Sequence, residues 1–253
     1  MNSSGEIRLV PLRGIPEVMP GQNLPAHLAA AIRDAGLGCR SGDVLVVTQK
    51  IVSKAEGRLV VLSSVDPSPF AVELGVRLSK DPRQMEVILQ ETRRIVRMDH
   101  GVMICETHHG FICANAGVDL SNAGGPGVAA LLPRDPDASA ATIRAGLKTH
   151  LGVAPAVVIT DTWGRPWRDG IVNVAIGVAG MRPLLRYAGQ QDPHGYELHA
   201  SVVAVADELA AAAELAMGKL LAVPAVLVRG YDYPRGRGSG RSLLRAPRRD
   251  LFR

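Results

Sequence analysis

Apolar residues along this chain follow two spacings, and the elements they predict alternate. Short, continuous, β-branched runs occur at residues 44–48 (Val-Leu-Val-Val-Thr), 157–159 after Pro155, 172–178 and 225–229. Runs of this kind read as strands buried on both faces. Weaker alternation predicts a first strand over 7–11, a hairpin from 102–105 and 111–114, and a short strand over 184–187. Helical spacing of three and four residues predicts helices over 24–37, 69–78, 81–98, 139–150 and 202–217. The 81–98 stretch carries Asp81, Pro82 and Gln84 as a start signal, with Met85, Ile88, Leu89, Ile95 and Val96 as its apolar face. Gly36, Gly38 and Gly152 are stop signals. The fold class expected is mixed α/β (α+β). No internal repeat and no linker divides residues 1–253, so any second unit is interwoven rather than tandem. Residues 231–253 read as an Arg/Gly-rich C-terminal loop.

Composition narrows this only a little. The chain has 253 residues, 47% hydrophobic and 4% aromatic, which is enough to bury a sizeable core. No apolar run approaches the roughly 18–20 residues of a membrane span, and Met1-Asn2-Ser3-Ser4 opens no signal peptide. Cys39, Cys105 and Cys113 show no CxxC spacing, which points to reduced thiols in a cytoplasmic protein and away from zinc. The net charge is +5, yet residues 229–253 hold eight arginines against Asp232 and Asp250. That segment carries +6, so the body sums to −1. Without interleaved aromatics it makes a poor nucleic-acid platform, and small anionic substrates are the expected partners.

Candidate chemistry gathers where strands end. The 157–170 stretch runs from strand into Asp161, Thr162, Trp163, Arg165, Trp167 and Arg168. It reads as a strand end followed by a loop, or, more blandly, as a capped turn with both tryptophans in the core. A carboxylate beside a hydroxyl suits a hard cation that shares oxygens with phosphate. A second loop, 115–127, offers Asp119 and Asn122 among glycines. Residues 49–58 follow a strand with Gln49, Lys50 and Lys54, a strand-to-strand turn from which Lys54 reaches an anion. Adjacent His108 and His109 read as exposed turn residues. The chain has no GxxxxGK[ST] loop, no dinucleotide fingerprint and no nucleophile elbow. Metal-assisted, phosphate-centred chemistry is what remains.

Three of these motifs carry a resemblance. Val47-Thr48-Gln49-Lys50-Ile51-Val52-Ser53-Lys54-Ala55-Glu56-Gly57-Arg58, Ala116-Gly117-Val118-Asp119-Leu120-Ser121-Asn122 and Ile159-Thr160-Asp161-Thr162-Trp163-Gly164-Arg165 together resemble the coenzyme F420:L-glutamate ligase family. The resemblance extends from Pro11 to Asp250-Leu251-Phe252. It implies an α/β fold forming an intertwined homodimer. It also implies a reaction in which GTP phosphorylates a carboxylate of the F420 precursor and the amine of L-glutamate displaces phosphate. Repetition adds γ-linked glutamates. The divalent ion implied is Mg²⁺ or Mn²⁺, with K⁺ as a further candidate.

By the same resemblance, Ile15, Pro16, Glu17 and Val18 form the first GTP loop, and Gln49, Lys54, Asn122 and Lys219 contact the nucleotide. Asp119, Asp161 and Thr162 hold the metal; Asp119, Asp161 and Lys54 are the catalytic set. Two positions depart from the pattern. Gln49 stands where members commonly have Ser, and Lys219 stands where a polar metal ligand is expected, so that a phosphate-neutralising role suits it better than metal binding. Some members continue into a nitroreductase-like domain after a stretch like 243–252, so the chain is a stand-alone ligase or the ligase part of a fusion. The rival readings are a guanine-nucleotide-binding regulatory domain without catalysis and an RNA-associated protein using the arginine-rich segment.

Overall fold

The structure, a computed structural model, describes residues 5–36 and 38–251; the predicted helix end at Leu37 and Phe252 of the closing motif lie outside them. Its centre is a five-stranded sheet. β1 (Arg8–Pro11), β12 (Ala225–Arg229), β2 (Val44–Thr48), β8 (Ala156–Arg165) and β9 (Arg168–Ala179) lie side by side in that order. β2 and β8 are parallel, and every other neighbouring pair is antiparallel.

Alternation explains why β2 is apolar throughout. Leu45 and Val47 face α1 (Leu24–Asp34) and α5 (Pro136–Leu151), with Leu28, Ile32, Ile143 and Leu147 against them. Val44 and Val46 face α6 (Val205–Met217), where Val205, Leu209, Ala210 and Ala213 are buried. The result is a helix–sheet–helix sandwich in which both faces of the central strands are covered. Ala206, Ala210 and Ala213 of α6 are buried here, while Ala211, Ala212 and Ala216 stay partly exposed. Side chains start the helices: Asp81 accepts from the Arg83 N–H, as expected, Asn23 from the Ala26 N–H and Asp135 from the Ala138 N–H.

A third core lies between α2 (Gln49–Ala55) and α5. It packs α3 (Pro69–Leu78) and α4 (Pro82–Gln90) on the sheet β4 (Thr92–Asp99), β5 (Val102–Thr107), β6 (Ile112–Ala114). Leu74, Met85, Ile88, Met103 and Cys105 fill it. A two-stranded ladder, β3 (Leu59–Val61) with β7 (Val128–Ala130), joins this lobe to the body. A second short ladder pairs β10 (Leu185–Arg186) with β11 (Val202–Val203).

Several expectations change. The single helix over 81–98 is α4 followed by β4. The β4–β5 pairing slips twice, between Thr92 and Arg94 and between Ile95 and Arg97. Each slip inserts a residue, breaks the two-residue alternation and imitates helical spacing. Residues 49–55 form α2 rather than a turn, its short length and β-branched Ile51 and Val52 concealing it. Trp163 and Gly164 belong to the β8–β9 ladder, so the loop expected over residues 163–170 shrinks to a hairpin tip at Pro166 and Trp167. Trp167 is 79% exposed there, outside any core. The predicted 202–217 helix starts at Val205, because Val202 and Val203 pair as a strand. β3 and β7 are three residues long and went unpredicted.

The C-terminal segment is irregular, as expected, but it is strapped down. Tyr233 is buried against the α6 side of the sheet. Asp137 at the start of α5 accepts from the Gly240 N–H and the Ser239 hydroxyl. A Cβ at Gly240 would lie 2.6 Å from the Ile176 carbonyl oxygen, so only glycine lets the segment approach this closely. Among the described residues, no helix is long and apolar enough to cross a membrane.

Candidate active site

β8 outruns its parallel neighbour. The last register pair between them is Thr48 with Thr160, after which β2 gives way to α2. Asp161 and Thr162 therefore stand beyond the carboxyl end of β2, where open sheets leave a crevice. A cavity of about 670 Å³ opens there. Ile15, Pro16, Glu17, Val18, Gln49, Lys54, Asn122, Asp161, Thr162 and Lys219 all line it. Asp119 sits at its edge, joined to the lining residue Lys50 at 2.8 Å. Residues from five separate parts of the chain thus converge as the sequence motifs anticipated.

The two carboxylates come from different units. Asp119 follows three successive left-handed residues, Asn115, Ala116 and Gly117, which turn the chain out of β6. The residue exchanges both backbone hydrogen bonds with Ala130, and its Oδ1 accepts from the Ser121 N–H at 2.7 Å. Burial alone would raise its pKa. The ammonium of Lys50, with the Ser121 N–H, outweighs burial and holds the carboxyl below the usual range. Asp161 has no such partner. Among the described residues it forms no ion pair; the Trp163 indole N–H donates to its Oδ2 at 2.9 Å. Burial, reinforced by the nearby charge of Asp119, pushes it up to about 6.

Strand alternation separates Thr162 from Asp161, since successive side chains take opposite faces. The Thr162 hydroxyl donates to Asn173 Oδ1 at 2.7 Å and accepts from Lys219 Nζ at 2.7 Å. Asn173 in turn donates to Glu214 at 2.9 Å, and Lys219 lies 3.5 Å from the same carboxylate. Asp119 and Asp161 are thus brought together on one side of β8, and Thr162 is seated in a neighbouring polar cluster on the other. Asn173 and Glu214 escaped sequence reasoning, and Lys50 carried no role in it beyond its place at a strand end. Asn173 and Glu214 sit within a strand and a helix, where nothing but tertiary contact marks them.

Two features suit an anion. Lys54 is only 6% exposed, and its ammonium meets Glu17 from the first loop at 2.5 Å. Gln49 is 1% exposed, its Oε1 accepting from the Ser53 hydroxyl, while its Nε2 finds no acceptor among the described residues. A buried donor without an acceptor costs on the order of 1–3 kcal/mol, and a ligand oxygen in the cavity would relieve it. His109 is not the exposed turn residue expected. It is half-buried, stacked on Phe111, with its ring nitrogens at Pro133 O and Thr107 Oγ1. His108 meets the Gln90 carbonyl. Among the described residues, no three His, Cys, Asp or Glu side chains gather as a metal cluster. The candidate cation position instead rests on two acids, of which Asp161 is half-buried and forms no ion pair among those residues. That donor set is all oxygen and fits a hard divalent ion.

The geometry defines an α/β protein whose central sheet opens on a cleft lined by Asp161, Lys54, Lys219 and the Gln49 side chain. The chain belongs to the F420-0:gamma-glutamyl ligase family, whose model matches residues 14–230. It is 44% identical to the coenzyme F420:L-glutamate ligase of Methanothermobacter thermautotrophicus over 98% of this chain and 99% of that one. Identity is also 44% with the ligase of that name from Methanopyrus kandleri, over 98% of both chains. With the one from Methanocaldococcus jannaschii it is 42%, over 84% of this chain and 85% of that one.

Proposed function

We propose that this protein is a GTP- and divalent-metal-dependent ligase that joins L-glutamate to the coenzyme F420 precursor and then extends the product by γ-linked glutamates. The observation that carries this reading is a cavity lined by Asp161, Lys54, Lys219 and the Gln49 amide, with Asp119, from a separate unit, held at its edge by Lys50. Relatives over nearly the whole chain bear the name of that activity. In this reading the γ-phosphoryl of GTP passes to a carboxylate oxygen of the precursor. The glutamate amine then attacks the acyl carbon, the C–O bond to phosphate breaks, and the amine gives up a proton as the amide forms.

The chain's own residues have distinct parts in it. The Ile15–Pro16–Glu17–Val18 loop and Asn122 hold the nucleotide. Lys54, released from Glu17, and Lys219 neutralise phosphate oxygens, and Gln49 Nε2 donates to one of them. Asp119 and Asp161 hold Mg²⁺ or Mn²⁺, which supplies positive charge against the phosphates. Thr162 orients Lys219 through its hydroxyl. The Arg165 and Arg168 end of the β8–β9 hairpin is the rim assigned to precursor and glutamate.

Pairing of two chains is part of the proposal. β9 is an open edge of the central sheet, and Ile171, Leu215 and Leu220 stand exposed near it and near the cavity. Light scattering at micromolar concentration should give a dimer mass, and a monomer would remove that part.

Mass spectrometry of a reaction containing GTP, Mn²⁺, L-glutamate and the unglutamylated precursor tests the chemistry. Products heavier by whole glutamyl units, absent with Asp161→Ala, are expected. GTP binding without any product would leave the non-catalytic, guanine-nucleotide-binding reading in its place.

A further inference from the structure

Asp161 lies two residues before Trp163 on a regular stretch of β8, so the two side chains share a face. Their side chains meet: the indole Nε1–H donates to Oδ2 at 2.9 Å. The indole is itself gripped. Its ring packs edge-on to Phe111, with centroids 5.5 Å apart and planes at 62°. Phe111 is stacked on His109 at 5.4 Å and 17°. His109 is anchored by the Pro133 carbonyl at 2.9 Å and by Thr107 at 3.3 Å. Three rings from the β5–β6 hairpin and β8 thus lead from the lobe to the carboxylate.

We propose that Trp163 is a positioning residue: its indole N–H fixes Oδ2 of Asp161, leaving Oδ1 to ligate the divalent ion, and the His109–Phe111–Trp163 stack fixes the indole. This rests on the reading above, in which Asp161 holds that ion. A carboxylate on a strand has a free rotor about its Cα–Cβ bond, and an unfixed ligand loses rotamer freedom each time an ion binds. Groups that orient a metal ligand typically contribute 10–100-fold to affinity. Phenylalanine at position 163 keeps the aromatic packing and deletes only the donor.

The experiment measures Mn²⁺ binding to the whole protein by electron paramagnetic resonance, with a non-hydrolysable GTP analogue present throughout. Wild type, Asp161→Ala, Trp163→Phe and Phe111→Leu are compared. Asp161→Ala should abolish the tight site. Trp163→Phe should weaken it about 10-fold or more with an unchanged melting temperature, and Phe111→Leu, which loosens the ring but keeps the donor, should fall between. In turnover, Trp163→Phe should raise the Mn²⁺ concentration for half-maximal rate, while kcat at saturating Mn²⁺ returns to the wild-type value. A merely structural role would lower kcat and leave the Mn²⁺ dependence alone. In a Trp167→Phe background Trp163 is the sole tryptophan, and its fluorescence should be quenched by Mn²⁺ with the same dissociation constant. Wild-type Mn²⁺ affinity in Trp163→Phe overturns the proposal and leaves the assignment of Asp161 standing. Wild-type affinity in Asp161→Ala overturns both.

Discussion

The lobe and the central sheet each bring one carboxylate to the cavity, and they prepare it differently. The lobe delivers Asp119 on a left-handed turn and gives it a cation, Lys50, so it is ionised well below neutral pH. The sheet delivers Asp161 on a rigid strand, gives it an indole N–H but no direct ion pair among the described residues, and leaves it at about 6. One acid is satisfied by the protein and the other waits for something to bind. The difference locates the demand for a ligand on the sheet side, because there the loss of solvent outweighs the indole N–H and the more distant charge of Lys50.

Removing the sheet carboxylate should have the largest effect. Asp161→Ala should lower kcat/KM by ~10³-fold or more, measured by initial rates at several Mn²⁺ concentrations. Asp161→Asn carries a second expectation. A folded-state pKa above the unfolded one means that ionised Asp161 costs stability at pH 7 and that protonation relieves it as pH falls from about 6 toward 3.8. The metal-free Asn variant should therefore melt about 2–4 °C higher than wild type at pH 7, a gain that fades toward pH 4. A lower melting temperature would mean that the acid is compensated after all.

The lobe side is next. Gly117 has φ +73, and a Cβ there would lie 2.7 Å from Leu132. Gly117→Ala should cost about 2–4 kcal/mol in denaturant unfolding and misplace Asp119, weakening Mn²⁺ binding. A smaller effect belongs to protons. Mn²⁺ affinity of the wild type should fall by about tenfold per pH unit below pH 6, as the ion competes with the Asp161 proton; a flat affinity there would remove the competition. Smallest is Lys50→Ala, worth less than about 1 kcal/mol because the pair is partly exposed. Without Lys50, burial is less opposed and Asp119 should titrate higher, nearer to Asp161, as carboxyl carbon resonances would show. An unmoved Asp119 would dissolve the contrast.

The same two regions differ in how far the sequence disclosed them. β2 and β12 could be bounded to the residue, since both faces of each are buried and no polar position interrupts the apolar run. β4 could not, because its bulges scatter Ile95, Val96 and Met98 into helical spacing. At the site, Asp119, Asp161 and Lys54 stood out as charged residues at element ends. Glu214 and Asn173 did not, because each looks ordinary on its own element and acquires meaning only when α6 crosses β9. Which face Thr162 takes was legible in principle from the two-residue period, once the strand is known to continue past Asp161 rather than end there. The stack behind Asp161 was beyond reach, as it joins residues more than fifty positions apart.

The position of β12 has a consequence for biogenesis. Residues 225–229 are inserted between β1 and β2, the two strands made first. During translation β1 therefore has no neighbour to join until more than two hundred residues have been made, and β2 shows an open edge for that whole time. The cavity shares this delay, because Val223 and Pro224, which close one wall, lead directly into β12. A ribosome-bound nascent chain should acquire the lobe first and the binding cleft almost last, so chaperones would meet this enzyme as a half-built sheet with its cleft still open.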